Sequence, residues 1–222
     1  LANEGKYTEA IAEFEALGDY QDSAEQILAC RYNDALALAD EGNYAEAIVE
    51  FKALGDYQDS KQKISEIKTE LLRTAEVGDT IYFGSYEQDN DDSDDKEPIA
   101  WRVLAKEDDR ILVISNNVII RKSYNHYALS HWLDDTFINE AFSTEEQAMI
   151  VKISLLSVDE AYKYFDSDKA RSCGSEWWLS TPSTFRPDSV FTVDGHGFIS
   201  GYRRSFNSVG VRPAMWIDLS SL

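Results

Sequence analysis

The chain has 222 residues, 43% of them hydrophobic and 12% aromatic, enough apolar material for a packed core in one large domain or two small ones. Its 41 acidic against 21 basic residues give a formal charge of −20, which repels a phosphate polymer over most of the surface and excludes nucleic acid as a partner. No apolar run approaches the ~20 residues that a helix needs to cross a bilayer.

The opening residues, L-A-N-E-G-K-Y, lack the basic start and apolar centre of an export signal and read as the end of a helix. The chain is therefore expected to continue upstream, and its cellular address stays open. The charge is uneven: about −10 over residues 1–76, about −11 over 77–170 and about +1 over 171–222, so an anionic or neutral polar partner is expected to approach the last stretch. The two cysteines, Cys30 and Cys173, have no C-x-x-C partner and read as buried thiols rather than a disulfide, a redox pair or zinc ligands.

The first recognisable element is a duplication. G-K-Y-T-E-A-I-A-E-F-E-A-L-G-D-Y-Q-D-S from Gly5 recurs 37 residues later as G-N-Y-A-E-A-I-V-E-F-K-A-L-G-D-Y-Q-D-S from Gly42, with about fifteen of nineteen positions identical. Tyr7, Ile11 and Phe14, with Ala10 and Leu17, fall on one helical face, and Tyr44, Ile48, Phe51 and Leu54 do the same. Gly18 and Gly55 are expected to stop these helices. Asp22 and Asp59 are expected to cap the next ones, with Glu25 and Gln62 completing capping boxes. The second helix of the first pair is expected from about Ser23 to Glu41.

Helix, turn and helix in tandem resembles tetratricopeptide-like repeats, through G-x-Y-x-E-A-I-x-x-F. The tryptophan-leucine-glycine signature of that family is absent, so its ligand-groove residues do not transfer. Residues 1–76 are therefore read as a helical-repeat domain, a short stalk with a protein-docking role as the alternative.

The pattern changes near Val77, and residues 77–222 read as a second domain. Thr80–Tyr86 is strand-prone, and 99–105 with 111–115 flank K-E-D-D-R as a hairpin. The acidic run from Asp89 to Pro98 lacks the glycine and terminal glutamate of a calcium-binding hand and reads as a solvated loop. Helix starts are expected at Ser130, at Ser143 with Glu146, and at Ser157 with Glu160. Asp194-Gly195 is a hairpin turn between two further strands. Strands, short helices, then strands again define an α+β domain.

The motifs G-D-T-I-Y-F-G-S-Y, E-P-I-A-W-R-V-L, W-L-D-D-T-F-I-N-E-A-F, L-L-S-V-D-E-A, W-W-L-S-T-P and G-V-R-P-A-M-W resemble an uncharacterised bacterial domain family. That family is similar to the C-type-lectin-like fold shared by formylglycine-generating enzymes and by the variable proteins of diversity-generating retroelements. The resemblance implies that late loops carry the ligand and that the arginine of G-V-R-P-A belongs to the core. It also puts oxidase chemistry aside, because those enzymes depend on a cysteine pair and this domain has Cys173 alone. Calcium-dependent sugar binding is not implied, since E-P-I at Glu97 lies in the early hairpin.

The residues themselves point the same way. Pro213 fixes its own φ and lacks a backbone donor, so Arg212 is expected to fold inward and bind carbonyls or a carboxylate, and Trp178 and Trp216 are also assigned structural roles. No G-x-S-x-G elbow is present, and His126, His131 and His196 follow neither a triad order nor metal-ligand spacing, so no catalytic residue, metal or cofactor is assigned. What remains is a recognition surface for a protein or glycan in the late loops: Phe185, Arg186, His196, Tyr202, Arg203, Arg204 and Phe206, aromatics and arginines among serine and asparagine. A degenerate enzyme using the same cleft and a structural assembly component are the rival readings.

Overall fold

Both copies of the doubled motif are helical, in a computed structural model that describes residues 1–18, 20, 22–88, 96–184 and 188–222, with Tyr202 described by its backbone. Helix α1 spans Tyr7–Leu17 and α3 spans Tyr44–Leu54, and each stops at a glycine of positive φ, 57° at Gly18 and 58° at Gly55. The helices that follow, α2 (Ser23–Asp40) and α4 (Ser60–Thr74), both open on a buried serine whose hydroxyl donates 2.6 Å back to a tyrosine carbonyl, Tyr20 for Ser23 and Tyr57 for Ser60.

That back-bond replaces the expected aspartate cap. Asp22 stands at the N-cap of α2 without a side-chain bond to the backbone, and its carboxylate instead accepts from Gln26 Nε2 at 3.0 Å. Asp59 accepts the hydroxyl of Tyr32. Helix α2 packs on both α1 and α3.

The chain divides into two compact units, Leu1–Leu71 and Leu72–Leu222, while the composition changes at 76/77. The second unit is mixed. Its first sheet has the order β1 (Thr80–Tyr86), β2 (Glu97–Glu107), β3 (Arg110–Ser115), β10 (Ala214–Asp218), β5 (Ile150–Ser154), antiparallel throughout. The second has the order β4 (Ile120–Lys122), β9 (Val209–Val211), β6 (Trp177–Pro182), β7 (Ser189–Val193), β8 (Ile199–Arg204), with β6 and β9 parallel. The acidic run expected as a solvated loop falls mostly on residues 89–95, outside the described residues.

The apolar run I-L-V-I in β3 is buried at every position, as a strand needs to be when both of its faces are covered. A core lies between the sheets: Leu104, Leu112, Ile114 and Ala214 of the first meet Trp177, Leu179 and Val193 of the second. A second aromatic cluster joins Phe83, Trp101, Phe137 and Phe142, with the Trp101 indole N–H donating 2.7 Å to the Phe83 carbonyl. Each such buried side chain stabilises by roughly 1.5–3 kcal/mol relative to exposure.

Between the strands of the first half lies one helical path of mixed pitch: α5 (His126–His131), a π-helical turn Trp132–Phe137, and α6 (Ile138–Ala141). It begins at Asn125, whose side chain accepts from Ala128 N at 3.0 Å, rather than at the expected Ser130, which lies inside α5. The buried positions Leu129, Leu133, Phe137 and Ala141 step by four. In an α-helix that spacing drifts by about 40° per step. The wider π turn takes up part of the drift and keeps Leu133 and Phe137 on the core side.

Two capping boxes open α7 (Thr144–Met149) at Ser143/Glu146 and α8 (Val158–Tyr164) at Ser157/Glu160, where the sequence places them. A last single turn, α9, runs Asp168–Arg171.

Candidate functional site

The site is built on the point where the chain changes sheets. Strand β9 belongs to the second sheet and β10 to the first, and only Arg212 and Pro213 separate them. Arg212 is 3% exposed. Its Nε donates to the carbonyl of Ser115 at 2.7 Å and its Nη1 to that of Arg171 at 2.9 Å. The guanidinium carbon lies 5.0 Å from the ring centre of Trp177 and 5.9 Å from that of Phe165.

Among the described residues no carboxylate lies within ion-pair distance of Arg212. Burial brings its pKa down to about 10, opposed by the Cys173 thiol and assisted by Arg102. The group stays cationic at neutral pH, held by carbonyl dipoles and ring faces.

Arg171 extends this frame to the surface. Buried itself, it donates from Nε to the Gly197 carbonyl at 3.0 Å, pairs with Asp168 and lies 5.1 Å from the ring centre of Tyr162. Gly197 closes the β7–β8 turn. Asp194 Oδ1 accepts from His196 N and Phe198 N there, and Ser172 Oγ donates 2.6 Å to the Gly195 carbonyl. His196 is thus an exposed side chain on a braced turn.

The other candidate ligand residues lie elsewhere. Phe185 and Arg186 fall outside the described residues. Tyr202 is placed by its backbone on β8, with Arg203 and Arg204 at the end of that strand. Arg203 pairs with Glu176 through Nε at 2.7 Å and Nη2 at 2.6 Å, and Arg204 pairs with Asp188 at 2.7 Å. Phe206 is 68% exposed in the β8–β9 turn, 5.7 Å from the Arg204 guanidinium. The length of β8, at about 3.3 Å per residue, separates His196 from Phe206 by roughly 20 Å, so these two do not share one small ligand.

What Phe206 does share is a cleft of ≈ 570 Å³ with Arg121, Lys122, Asn125 and Trp132. Lys122 Nζ stands 4.9 Å from the Trp132 ring centre, and Arg121 Nη2 donates 3.3 Å to the Ser208 carbonyl. The walls are cross-braced: the Trp178 indole donates 2.8 Å to the Lys122 carbonyl, and Tyr124 N donates 2.7 Å to the Ser205 carbonyl. Trp178 is fully buried, while Trp216 is half-buried on β10 with Arg110 lying 5.5 Å from its ring centre.

The sequence analysis assigns no role to Arg121, Lys122 or Trp132, which line this cleft. The one available signal was the adjacent pair R-K at 121–122 inside an acidic chain.

A second, small cavity of ≈ 60 Å³ holds Tyr124, His126, Ser130, Ser154 and Ser180, room for about two waters. Tyr124 donates its hydroxyl to the Ser180 carbonyl at 3.0 Å, and burial raises its pKa. Among the described residues no group of three or more histidine, cysteine or acidic side chains is placed to hold a metal ion, and no helix is long and apolar enough to cross a membrane.

No curated protein and no solved structure matches the chain. Residues 155–219, which run from α8 to β10 and include the arginine frame and Phe206, match the model of a family described as a domain of unknown function (DUF6273).

Proposed function

We propose that the second unit is a non-enzymatic recognition module for a protein or glycan ligand, that its scaffold is C-type-lectin-like, and that the tetratricopeptide-like helices of the first unit serve as its spacer. The observation that carries this reading is a polar, aromatic cleft on a braced frame. Phe206 and Trp132 offer ring faces beside Arg121, Lys122 and Asn125. The segments that bear Lys122 and Phe206 are braced by the Trp178 indole on the Lys122 carbonyl and by Tyr124 N on the Ser205 carbonyl. Rigid aromatics with nearby hydrogen-bond donors bind at low entropic cost, because little has to be ordered on contact. The π-helical turn that carries Trp132 is a feature that recurs at functional sites.

The ion pairs at Arg203 and Arg204 fit a rim role for these two residues. The exposed Arg204–Asp188 pair is of a kind that contributes about 0–1 kcal/mol, so a ligand can exchange partners with it at small cost, whereas Arg203 is held in two-point contact by the more buried Glu176.

The test is a screen of the intact chain on glycan and peptide arrays, followed by calorimetry with any hit. Phe206→Ser and Arg121→Ala should each weaken binding at least tenfold while leaving the unfolding midpoint in place. A ligand bound equally well by both variants, or no ligand on either array, rejects this site.

A further inference from the structure

The chain has 41 acidic residues against 21 basic ones, yet among the residues that line the cleft at 121–132 and 206–208 there is no aspartate or glutamate. The charged residues there are both cations, Arg121 and Lys122. Elsewhere in this domain basic side chains find acids: Lys106 pairs with Glu76, Arg171 with Asp168, Arg203 with Glu176 and Arg204 with Asp188. Arg121 and Lys122 have no acidic partner among the described residues. In a chain of formal charge −20, two adjacent cations without a carboxylate reverse the local field.

The hydrogen-bonding groups that the fold leaves over in this cleft are donors. Arg121 Nη2 donates at 3.3 Å to the Ser208 carbonyl, which uses one of the five donors of its guanidinium. Lys122 Nζ lies 4.9 Å from the Trp132 ring centre, a contact that positions the ammonium without consuming its three N–H bonds. Asn125 Oδ1 already accepts from Ala128 N at 3.0 Å, so its amide N–H groups are what it has to offer. Beside these donors stand the half-buried ring of Trp132 and the exposed ring of Phe206.

A ligand that matches this set is rich in acceptors and poor in donors. An ionised carboxylate only accepts, whereas every hydroxyl of a sugar also brings a proton that needs an acceptor. Of a glycan and a peptide, the peptide with carboxylate side chains is therefore the better complement. We propose that the cleft, on the reading that it is the recognition site, takes an acidic peptide segment of a partner protein. Neighbouring carboxylates sit on Arg121 and Lys122, and an apolar side chain of the segment lies against Trp132 and Phe206. The acids elsewhere on the chain do not forbid this, because at physiological ionic strength charges beyond about 8 Å are largely screened while contact pairs in a cleft are screened far less.

The probes are two pools of labelled octapeptides, built from uncharged residues in random order around a central Asp-Asp or Asn-Asn pair, and passed over the immobilised intact chain. The Asp-Asp pool should be retained about tenfold more strongly than the Asn-Asn pool. Arg121→Gln and Lys122→Gln, both changes of side chains that reach solvent, should each remove most of that preference while the unfolding midpoint stays in place. Phe206→Ser should weaken retention of the Asp-Asp pool. Retention of Asn-Asn peptides equal to that of Asp-Asp, and lost in Phe206→Ser, would keep the cleft as the site and overturn its acidic ligand. Retention of Asp-Asp peptides that ignores all three substitutions would overturn the cleft itself. An oligogalacturonate bound through Arg121 and Lys122 when neither pool is retained would make an acidic glycan the occupant, and no retention of any probe also overturns the proposal.

Discussion

The carbonyl of Arg171 accepts a hydrogen bond from Arg212 at 2.9 Å, and the guanidinium of Arg171 in turn donates 3.0 Å to the carbonyl of Gly197. Two arginines in series therefore connect the sheet crossover in the core to the β7–β8 turn at the surface. At the second link the Arg171 guanidinium is also paired with Asp168. A guanidinium suits this work because its donors are fixed in a plane and diverge, so one group satisfies carbonyls from two separate segments.

Replacing Arg212 removes both of its bonds and leaves the carbonyls of Ser115 and Arg171 buried without a donor. Arg212→Ala should destabilise the second unit by about 3–5 kcal/mol, from two stranded acceptors together with the space left between Trp177 and Phe165. Arg212→Lys should recover less than half, since one ammonium does not span both carbonyls. Urea unfolding followed by tryptophan fluorescence measures this, and an unchanged midpoint in the alanine variant rejects the structural role.

At Gly197 the backbone has φ 95°, and a Cβ built there would lie 1.7 Å from the carbonyl oxygen of Asp168. The clash is with backbone, which has no side chain to swing away. Gly197→Ala should therefore cost about 4 kcal/mol or more, or displace the whole turn. Loss of the amide signals of His196 and Phe198 from their native positions in a ¹H–¹⁵N spectrum would report the displacement, and an unperturbed spectrum with native stability would contradict it.

Local chemistry was legible in the sequence where one short segment decides the outcome. The Asp194-Gly195 turn, the β2–β3 hairpin and the boxes at Ser143 and Ser157 all lie where their residues place them. Pairings between distant segments were not. Nothing in A-M-W-I-D marks β10 as the strand that enters between β3 and β5, and beyond its two adjacent charges nothing in I-R-K marks β4 as the wall of a cleft. The cleft is assembled from two distant stretches of chain, 121–132 and 206–208, and loop composition points only to the second of them. At Asp22 the serine that follows it supplies the turn's hydrogen bond, a competition between neighbouring side chains that spacing rules do not resolve.

The start of the α5 path separates two cap assignments by mutation. Asn125 accepts from Ala128 N, whereas Ser130 sits within the helix. Asn125→Ala should cost about 1 kcal/mol, and Ser130→Ala should stay within about 0.5 kcal/mol of the parent. Equal losses at both positions, measured by thermal unfolding, would return the helix start to Ser130.

The Tyr32–Asp59 bond gives the first unit a pH signature of known sign. The bond from the Tyr32 hydroxyl holds the Asp59 carboxyl below the usual carboxylate range, with a backbone hydrogen bond and Lys63 assisting, and the same bond raises the Tyr32 phenol above its ordinary value. A carboxyl whose folded pKa is depressed contributes stability above its unfolded pKa and loses it as pH falls through the folded value. The raised phenol gives the mirror image: its contribution is present below pH 10 and is lost as pH rises through the folded pKa. The pair therefore contributes fully from about pH 4 to about pH 10, and least in strong acid and strong alkali. Tyr32→Phe keeps both ring contacts and removes the donor. In that variant an NMR titration of the Asp59 carboxyl should show its midpoint moving up toward the ordinary range, and stability should be insensitive to pH at this site. A midpoint that stays as depressed in Tyr32→Phe as in the parent would show that the Tyr32 bond is not the cause of the shift and would leave it to the backbone hydrogen bond and Lys63.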